Sequence, residues 1–190
     1  MAAAIYSTTT ETGIDVNTVF ILSTGTPEYP RPPFGTGTLA WGTDGSEWVF
    51  CTASITLGMG AVVLVSAVPG SWSVATIGGA TVSTAPTGQL VGVVGGSAGT
   101  MVVPAPASPQ VGTYFWVQRA GNAPNVSCAA STTKLAQLHS SATVGGQVSA
   151  SGGGAGTTYN ISGMVISQAD GSTAGPNTAI LNYPTVGLTN

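Results

Sequence analysis

Short apolar runs, broken by Gly, Pro, Asn or Ser, follow one another along most of the chain. Within these runs β-branched and aromatic residues are common and apolar positions alternate with polar ones, which is typical of half-buried β-strands. Besides the segment 112–128, the pattern predicts strands at 39–41, 47–53, 61–68, 72–77, 81–84, 89–94, 100–103, 159–168 and 178–186.

The segment 112–128, GTYFWVQRAGNAPNVSC, has the strongest strand pattern in the chain. Its aromatic run continues into Val117, and the Gly-Asn-Ala-Pro-Asn cluster that follows is typical of turns, so the segment predicts a β-hairpin. Alternation places Tyr114 and Trp116 on one face and Phe115 and Val117 on the other. Because both faces then need cover, we expect this hairpin near the middle of a sheet.

A second hairpin is predicted around the Thr-Asp-Gly-Ser turn at 43–46, because Asp-Gly between two alternating runs is a strong hairpin signal. Trp41 and Trp48 flank this turn, and we expect them to stack across the strand pair. A helix is not expected at 61–68, since Gly58 and Gly60 precede the run and Pro-Gly follows it.

The first 34 residues differ from the rest, and they predict an extended N-terminal arm with a Pro-rich connector, followed by one β domain at 35–190. Four prolines fall between Pro27 and Pro33, and proline favours extended backbone over helix. The arm's apolar residues suit strand pairing with a neighbouring subunit. A return of the arm along its own domain, or a disordered tail, is the alternative.

The elements together predict an all-β fold, a β-sandwich or barrel of jelly-roll-like type with about ten short strands and an extended N-terminal arm. The stretch 129–138 has helix-friendly composition but is short and Thr-rich, so a single turn or a strand end is expected there. A bulge is expected at Gly163. The expected core residues are Trp41, Trp48, Trp72, Tyr114, Trp116 and Ile166.

Charged residues are scarce, since the chain has three basic and six acidic side chains among 190 residues. Ordinary soluble domains carry about a quarter charged residues, and their like charges keep them apart in solution. A neutral exterior favours a surface packed against other subunits over a secreted protein with a neutral coat. With so few charges, uncovered sheet edges would promote aggregation, which also favours edges covered by partners.

Compartment signals are mostly absent from the sequence. Cys51 and Cys128 lie in apolar runs, which predicts buried free thiols rather than a disulfide. The start MAAAIYSTTTE has no basic region and no long apolar region, so no signal peptide is expected, and no run is long enough for a membrane helix. A net charge of −3 predicts no nucleic-acid surface.

Catalytic, metal and cofactor sites are not expected. His139 is the single histidine and has no Cys or carboxylate nearby in sequence, which favours a polar edge residue over a metal ligand. The glycine-rich stretch 92–99 is followed by no helix pattern and no acidic residue about 20 positions on, so a turn is expected and not a dinucleotide site. Asp44 and Glu47 share a turn, but nothing in the sequence signals a facing carboxylate pair. We therefore expect a protein that is not an enzyme.

Three stretches resemble a known family. The segment FGTGTLAWGTDGSEWVFCTASITLGMGAVVLVS, the pair GQLVGVV and GTYFWVQRAGNAPNVSC, and the closing ISGMVISQAD and AILNYPTVG are similar to small structural proteins of tailed bacteriophages, the capsid decoration or cement proteins. The similar stretches run from about Gly35 to Gly187. Each motif is short and Gly-rich. The resemblance concerns the β domain and does not include the N-terminal arm.

The resemblance implies a non-enzymatic virion protein, made in the bacterial host cytoplasm, that binds the outer head surface. The implied partners are the major capsid protein and further copies of the chain as a homodimer or homotrimer, with no nucleic acid and no membrane. Two alternatives stay open: an adhesin module of a tail fibre or host-binding surface, with Trp72 as a sugar platform, and a tail or neck component. The expected interface residues are Ile5, Tyr6, Phe20, Leu22, Tyr29, Arg31 and Phe34.

Overall fold

The protein is described by a computed structural model, and the described part of the chain is an all-β structure. No helix occurs in that part, and within it no helix is long and apolar enough to cross a membrane. The described residues are 16, 19–21, 34–53, 55–69, 71–78, 88–95, 102–103, 113–151, 158–168 and 173–187.

Thirteen strands are present in the described ranges, most of them short. They are β1 (Phe20–Ile21), β2 (Leu39–Trp41), β3 (Glu47–Ala53), β4 (Leu57–Gly58), β5 (Val62–Val68), β6 (Ser71–Thr76), β7 (Leu90–Val94), β8 (Val102–Val103), β9 (Thr113–Cys128), β10 (Leu138–Ser140), β11 (Val148–Ser149), β12 (Asn160–Ile166) and β13 (Gly175–Val186).

Eleven of these strands belong to one sheet, and β4 pairs with β8 in a separate two-stranded sheet. The large sheet closes on itself because β9 is paired along both of its edges. One closed ring runs β9–β3–β6–β5–β7 and back to β9, and a second runs β9–β11–β10–β12–β13 and back to β9. Closure leaves few exposed strand edges, which is how barrel-like folds avoid edge-to-edge aggregation.

Two apolar cores lie on opposite faces of β5 and β7. Val63 and Val65 point into the core beneath β3 and the first half of β9, whereas Val62 and Leu64 point into the core beneath β12 and β13. The strand is therefore buried on both faces, which explains why its sequence is a continuous apolar run instead of an alternating one. Because β5 and β7 border both cores, the two cores belong to one packed unit.

A third cluster is aromatic and covers the outer face of β3 and the first half of β9. Phe50 and Trp116 are fully buried there, with ring centroids 5.0 Å apart. Phe34 contacts both rings edge-on at 5.7 and 5.5 Å, and Phe20 contacts Phe50 edge-on at 5.8 Å. Such edge-to-face contacts add about 0.5–1.5 kcal/mol each to the gain from burial. Both faces of β9 are covered, as the alternation in its sequence predicts.

The predicted hairpin at 112–128 is wrong, because β9 is one continuous strand of 16 residues. Its first half pairs with β3 and its second half with β13, so the chain does not reverse direction. The pairing with β3 shifts register at Arg119 and the pairing with β13 shifts register at Pro124 and Asn125, so this sequence forms bulges within the strand instead of a turn. The buried Gln118 amide bridges the irregular region by donating to the carbonyl oxygens of Ala120 and Asn122.

The N-terminal arm predicted at 1–34 lies mostly outside the described residues. In the part that is described, β1 pairs antiparallel with the start of β9 in the same chain, and the buried Val16 joins the aromatic cluster. This segment therefore returns along its own domain in the single chain. The boundary between arm and domain stays a prediction.

The expectations for the cysteines, for Gly163 and for the stretch after β9 are confirmed, and one strand prediction lies outside the described residues. Cys51 and Cys128 are buried free thiols, and Gly163 lies at a bulge in β12. The stretch 129–137 contains turns and no helix. The strand predicted at 81–84 lies outside the described residues.

Gly121 provides a test of the continuous strand. Its φ is +87°, and a Cβ there would lie 2.7 Å from the Ser46 Cα, whereas Gly45, with φ +79°, has open space around it. Left-handed strain alone costs about 1–2 kcal/mol, so we expect G45A to lower the free energy of unfolding by that amount. We expect G121A to cost more, because it adds a backbone clash. Equal losses in urea unfolding would contradict this packing.

Cys51 provides a test of the core through pH. Burial raises the pKa of its thiol from 9.0 to about 12, and the charge of Arg119 opposes this shift only in part. A pKa raised by folding contributes stability that is complete below pH 9 and is lost as pH rises toward 12. We expect the stability difference between wild type and C51A to fall by up to about 1.4 kcal/mol per pH unit in that window. A difference that is constant with pH would show that the thiol is accessible to water.

Candidate functional site

The predicted interface residues are only partly visible in the structure. Phe20 and Phe34 are half-buried in the aromatic cluster, where they cover Phe50 and Trp116 of the same chain. They therefore have a structural role within the chain itself. The other five lie outside the described residues: Ile5, Tyr6, Leu22, Tyr29 and Arg31.

Most of the expected core residues lie inside the protein. Trp48, Trp116 and Ile166 are buried, and Tyr114 and Trp72 are half-buried. The Trp72 indole packs against Gly37, where a Cβ would lie only 2.4 Å from its Nε1. Trp72 is thus enclosed by its own chain, which leaves it poorly placed to be a sugar platform.

The assignment of Trp41 to the core is wrong, because its side chain is 55% exposed. The expected stacking of Trp41 on Trp48 is wrong as well. In the β2–β3 pair, Trp48 lies opposite Ala40 while Trp41 lies opposite Glu47, so the two indoles project from opposite faces. Trp48 enters the aromatic cluster, whereas Trp41 lies on the more exposed face of a three-residue strand at the end of the sheet order.

Trp41 belongs to a surface group that the sequence did not predict, formed by Trp41, Glu47, Arg119 and Tyr183 and called here the Glu47 cluster. The indole Nε1 of Trp41 donates to Glu47 Oε2 at 3.2 Å, and the Tyr183 hydroxyl donates to the same oxygen at 3.0 Å. The Arg119 guanidinium carbon lies 5.8 Å from the centroid of the Tyr183 ring. One carboxylate oxygen thus orients two exposed aromatic rings.

Strand topology brings these residues together. Strands β3 and β13 pair with opposite edges of β9, and they overlap at Ala120, which pairs with both Glu47 and Asn182. Beyond Asn182, β13 leaves β9, and Thr185 pairs with Leu90 of β7. Residues from four strands, β2, β3, β9 and β13, therefore converge where β13 changes partner.

Tyr183 is located at this change of partner and has an unusual backbone. Its φ is +48°, in the left-handed region that bulky residues rarely adopt. Such a conformation costs about 1–2 kcal/mol and persists only where the surroundings hold it. The hydrogen bond to Glu47 and the contact with Arg119 hold the side chain. The ring remains half exposed.

Arg119 is the buried charge of the cluster. Only 7% of its surface is exposed, and its Nε has no hydrogen-bond partner among the described residues. Burial lowers the pKa of its guanidinium, while the negative charge of Glu47 acts in the opposite direction. Buried charged groups are costly unless they are paired, so an unpaired Nε here is an exception that calls for an explanation.

The described residues offer little for catalysis or metal binding. No group of three or more His, Cys, Asp or Glu side chains in the described ranges could hold a metal ion. The Asp44 carboxylate accepts a hydrogen bond from the Ser46 backbone at 3.1 Å, which closes the β2–β3 turn. A cavity of about 10 Å³ beside Trp48 and Gly60 is large enough for at most one water molecule.

A scan against models of known protein families finds no match, and a search of curated proteins finds no significant similarity.

The sequence analysis named Trp41 and Glu47 and included Arg119 only as part of the segment 112–128, so it did not connect the three, and it missed Tyr183. One signal was present: Glu47 and Arg119 are two of nine charged residues and lie in predicted strands of an otherwise neutral chain. Their proximity depends on β9 being continuous, and the predicted hairpin would have separated them.

The geometry of the cluster can be tested through the titration of Tyr183. The pKa of its phenol is raised, first by the hydrogen bond to Glu47 and then by that carboxylate's charge. We expect E47Q to lower the phenol's pKa toward its ordinary value, because the charge that disfavours the phenolate is gone. Ultraviolet titration at alkaline pH measures this step, which is identified by its absence in Y183F.

The matched control is D44N, in the same turn as Glu47. The Asp44 side chain bonds the Ser46 backbone and not Tyr183, so D44N should leave the titration of Tyr183 unchanged. Identical curves for E47Q and wild type would contradict the described hydrogen bond.

Proposed function

We propose that this chain is a non-enzymatic structural protein of a bacteriophage virion that binds the outer surface of the head shell and stabilises it. The observation that carries the proposal is the near absence of charge on the exterior. An accessible surface of 9047 Å² belongs to a chain with nine charged residues. Identical copies with neutral surfaces pack closely on a shell without repelling one another.

Exposed apolar side chains support the proposal further. Ile180 and Val165 lie directly opposite each other on β13 and β12, and both are exposed. Single exposed apolar residues are ordinary on protein surfaces, but a cross-strand pair on a nearly uncharged face is suited to contact with a partner. Among the described residues, the other large apolar residues with exposed side chains are Leu39, Trp41, Val68, Leu135, Val144 and Tyr183.

The mechanism of stabilisation is thermodynamic linkage. A protein that binds the assembled shell more tightly than it binds free coat subunits lowers the free energy of the shell by its binding free energy. The effect is multiplied over every copy bound, so modest affinity at each site is sufficient. The partners in this proposal are the major capsid protein and other copies of the chain, as a homodimer or homotrimer.

The first test mixes purified protein with intact heads and, separately, with dissociated coat subunits, followed by sedimentation and counting of bound copies. We expect saturable binding to heads alone, in a ratio that matches one symmetry class of the shell. Absence of binding to heads would overturn the proposal. Binding to host cells instead would favour the adhesin alternative, and immunogold labelling of tails would favour a tail or neck component.

The arm is tested by a deletion that the structure helps to choose. Removal of residues 2–33 would take away Val16 and Phe20, which cover Phe50 and Trp116 in the aromatic cluster. Deletion of residues 2–15 removes Ile5 and Tyr6 and leaves that cover in place. We expect the shorter chain to keep its melting temperature and to lose attachment to heads. Normal attachment of the shortened chain would exclude this part of the arm from the interface.

A further inference from the structure

We propose that the Glu47 cluster is a binding site for a neutral saccharide. The site consists of two half-exposed aromatic rings, a carboxylate between them and a buried guanidinium beside them. The proposal rests on this geometry and does not depend on shell binding, so either can fail without the other.

The aromatic part of the site is fixed in orientation before any ligand arrives. Trp41 is 55% exposed and Tyr183 is 50% exposed, yet each is held by a hydrogen bond to Glu47 Oε2. Exposed aromatic side chains normally lose rotamer freedom when a ligand binds, and this loss weakens the affinity. Here much of that ordering is already present in the free protein. The apolar face of a sugar ring stacks on such a surface.

The polar part of the site has unused hydrogen-bonding capacity. Both hydrogen bonds that Glu47 accepts go to Oε2, and Oε1 accepts none from the described residues. The Nε of Arg119 is buried and has no hydrogen-bond partner within the same part of the chain. An acceptor and a donor group therefore lie beside the aromatic rings, both in need of a partner.

The chemistry of the cluster selects among ligand classes. A cation would meet the positive charge of Arg119, and an anion would meet the carboxylate of Glu47. A purely apolar partner would cover both groups and leave them unpaired, which is unfavourable, and most of all for charged groups. A neutral ring with adjacent hydroxyls donates to Glu47, accepts from Arg119 and places its C–H face on Trp41. Neutral sugars have that combination.

The same contacts also clamp β13 where it leaves β9, so a purely structural role must be distinguished from binding. The distinguishing measurement is a response of the indole N–H of Trp41 to added saccharide, which a clamp alone does not produce. Nuclear magnetic resonance resolves the four tryptophan indole N–H signals, and W41F identifies that of Trp41.

The probes are neutral oligosaccharides of glucose, mannose, galactose, rhamnose and N-acetylglucosamine, with 3′-sialyllactose as the anionic comparison. We expect saturable movement of the Trp41 signal with at least one neutral probe and a weaker response to sialyllactose. W41A should weaken the affinity by at least about tenfold, and E47Q should weaken it several-fold. I180A is the control, because Ile180 is 55% exposed on the same strand as Tyr183 but lies outside the cluster.

Three results would overturn the proposal. The first is no movement of the Trp41 signal with any neutral probe, and the second is equal affinity in W41A and wild type. The third is a lower melting temperature and lost head attachment in W41A with no saccharide response in wild type, which would assign the cluster to folding and protein docking. Head attachment by wild type is measured separately, so failure of the shell proposal is distinguishable from failure of this one.

Discussion

The pairing of β9 along both of its edges is the constraint on which the rest of the structure depends. The strand provides one wall for each core and backbone partners for β1, β3, β7, β11 and β13. Buried backbone N–H and C=O groups must be paired, and double-edged pairing satisfies them along a strand that crosses the whole protein. Close approach to β9 requires small neighbours: at Gly60 a Cβ would lie 1.5 Å from the Asn125 carbonyl oxygen. The high glycine content is thus partly a packing requirement.

The positions of strands and the faces that they bury could be predicted wherever apolar and polar residues alternate. The strands that pair with β9 could not be predicted from the sequence. The alternating faces of Tyr114 and Phe115 and the apolar run of β5 follow from side-chain period alone. The Gly-Asn-Ala-Pro-Asn sequence suits a turn or a bulge equally well, so local chemistry could not show whether the chain reverses. That choice is made by β3 and β13, which lie 68 residues before Gly121 and 50 residues after Asn125 along the chain.

The candidate site was less predictable than the fold, for the same reason. Trp41 has a large apolar side chain of the kind usually found in a core, but its position in a three-residue edge strand leaves it exposed. A one-residue difference in register decides which indole of the pair is buried, and the sequence around the turn does not determine that register. Tyr183 appears in sequence as an ordinary strand residue. Its left-handed backbone results from the transfer of β13 from β9 to β7, which is a property of the topology.

Sparse charge gives the Glu47 cluster its significance. In a chain with abundant charges, a Glu and an Arg at a strand junction would be an unremarked surface pair worth little. Here the guanidinium is buried, its Nε is unpaired and the neighbouring carboxylate orients two exposed rings. If the cluster only held β13 in place, a direct ion pair would stabilise that junction more. Apolar residues of similar volume would do so as well, because their burial incurs no desolvation cost. Retaining a buried charge with open hydrogen-bonding capacity costs stability, and a ligand that completes those hydrogen bonds offsets that cost.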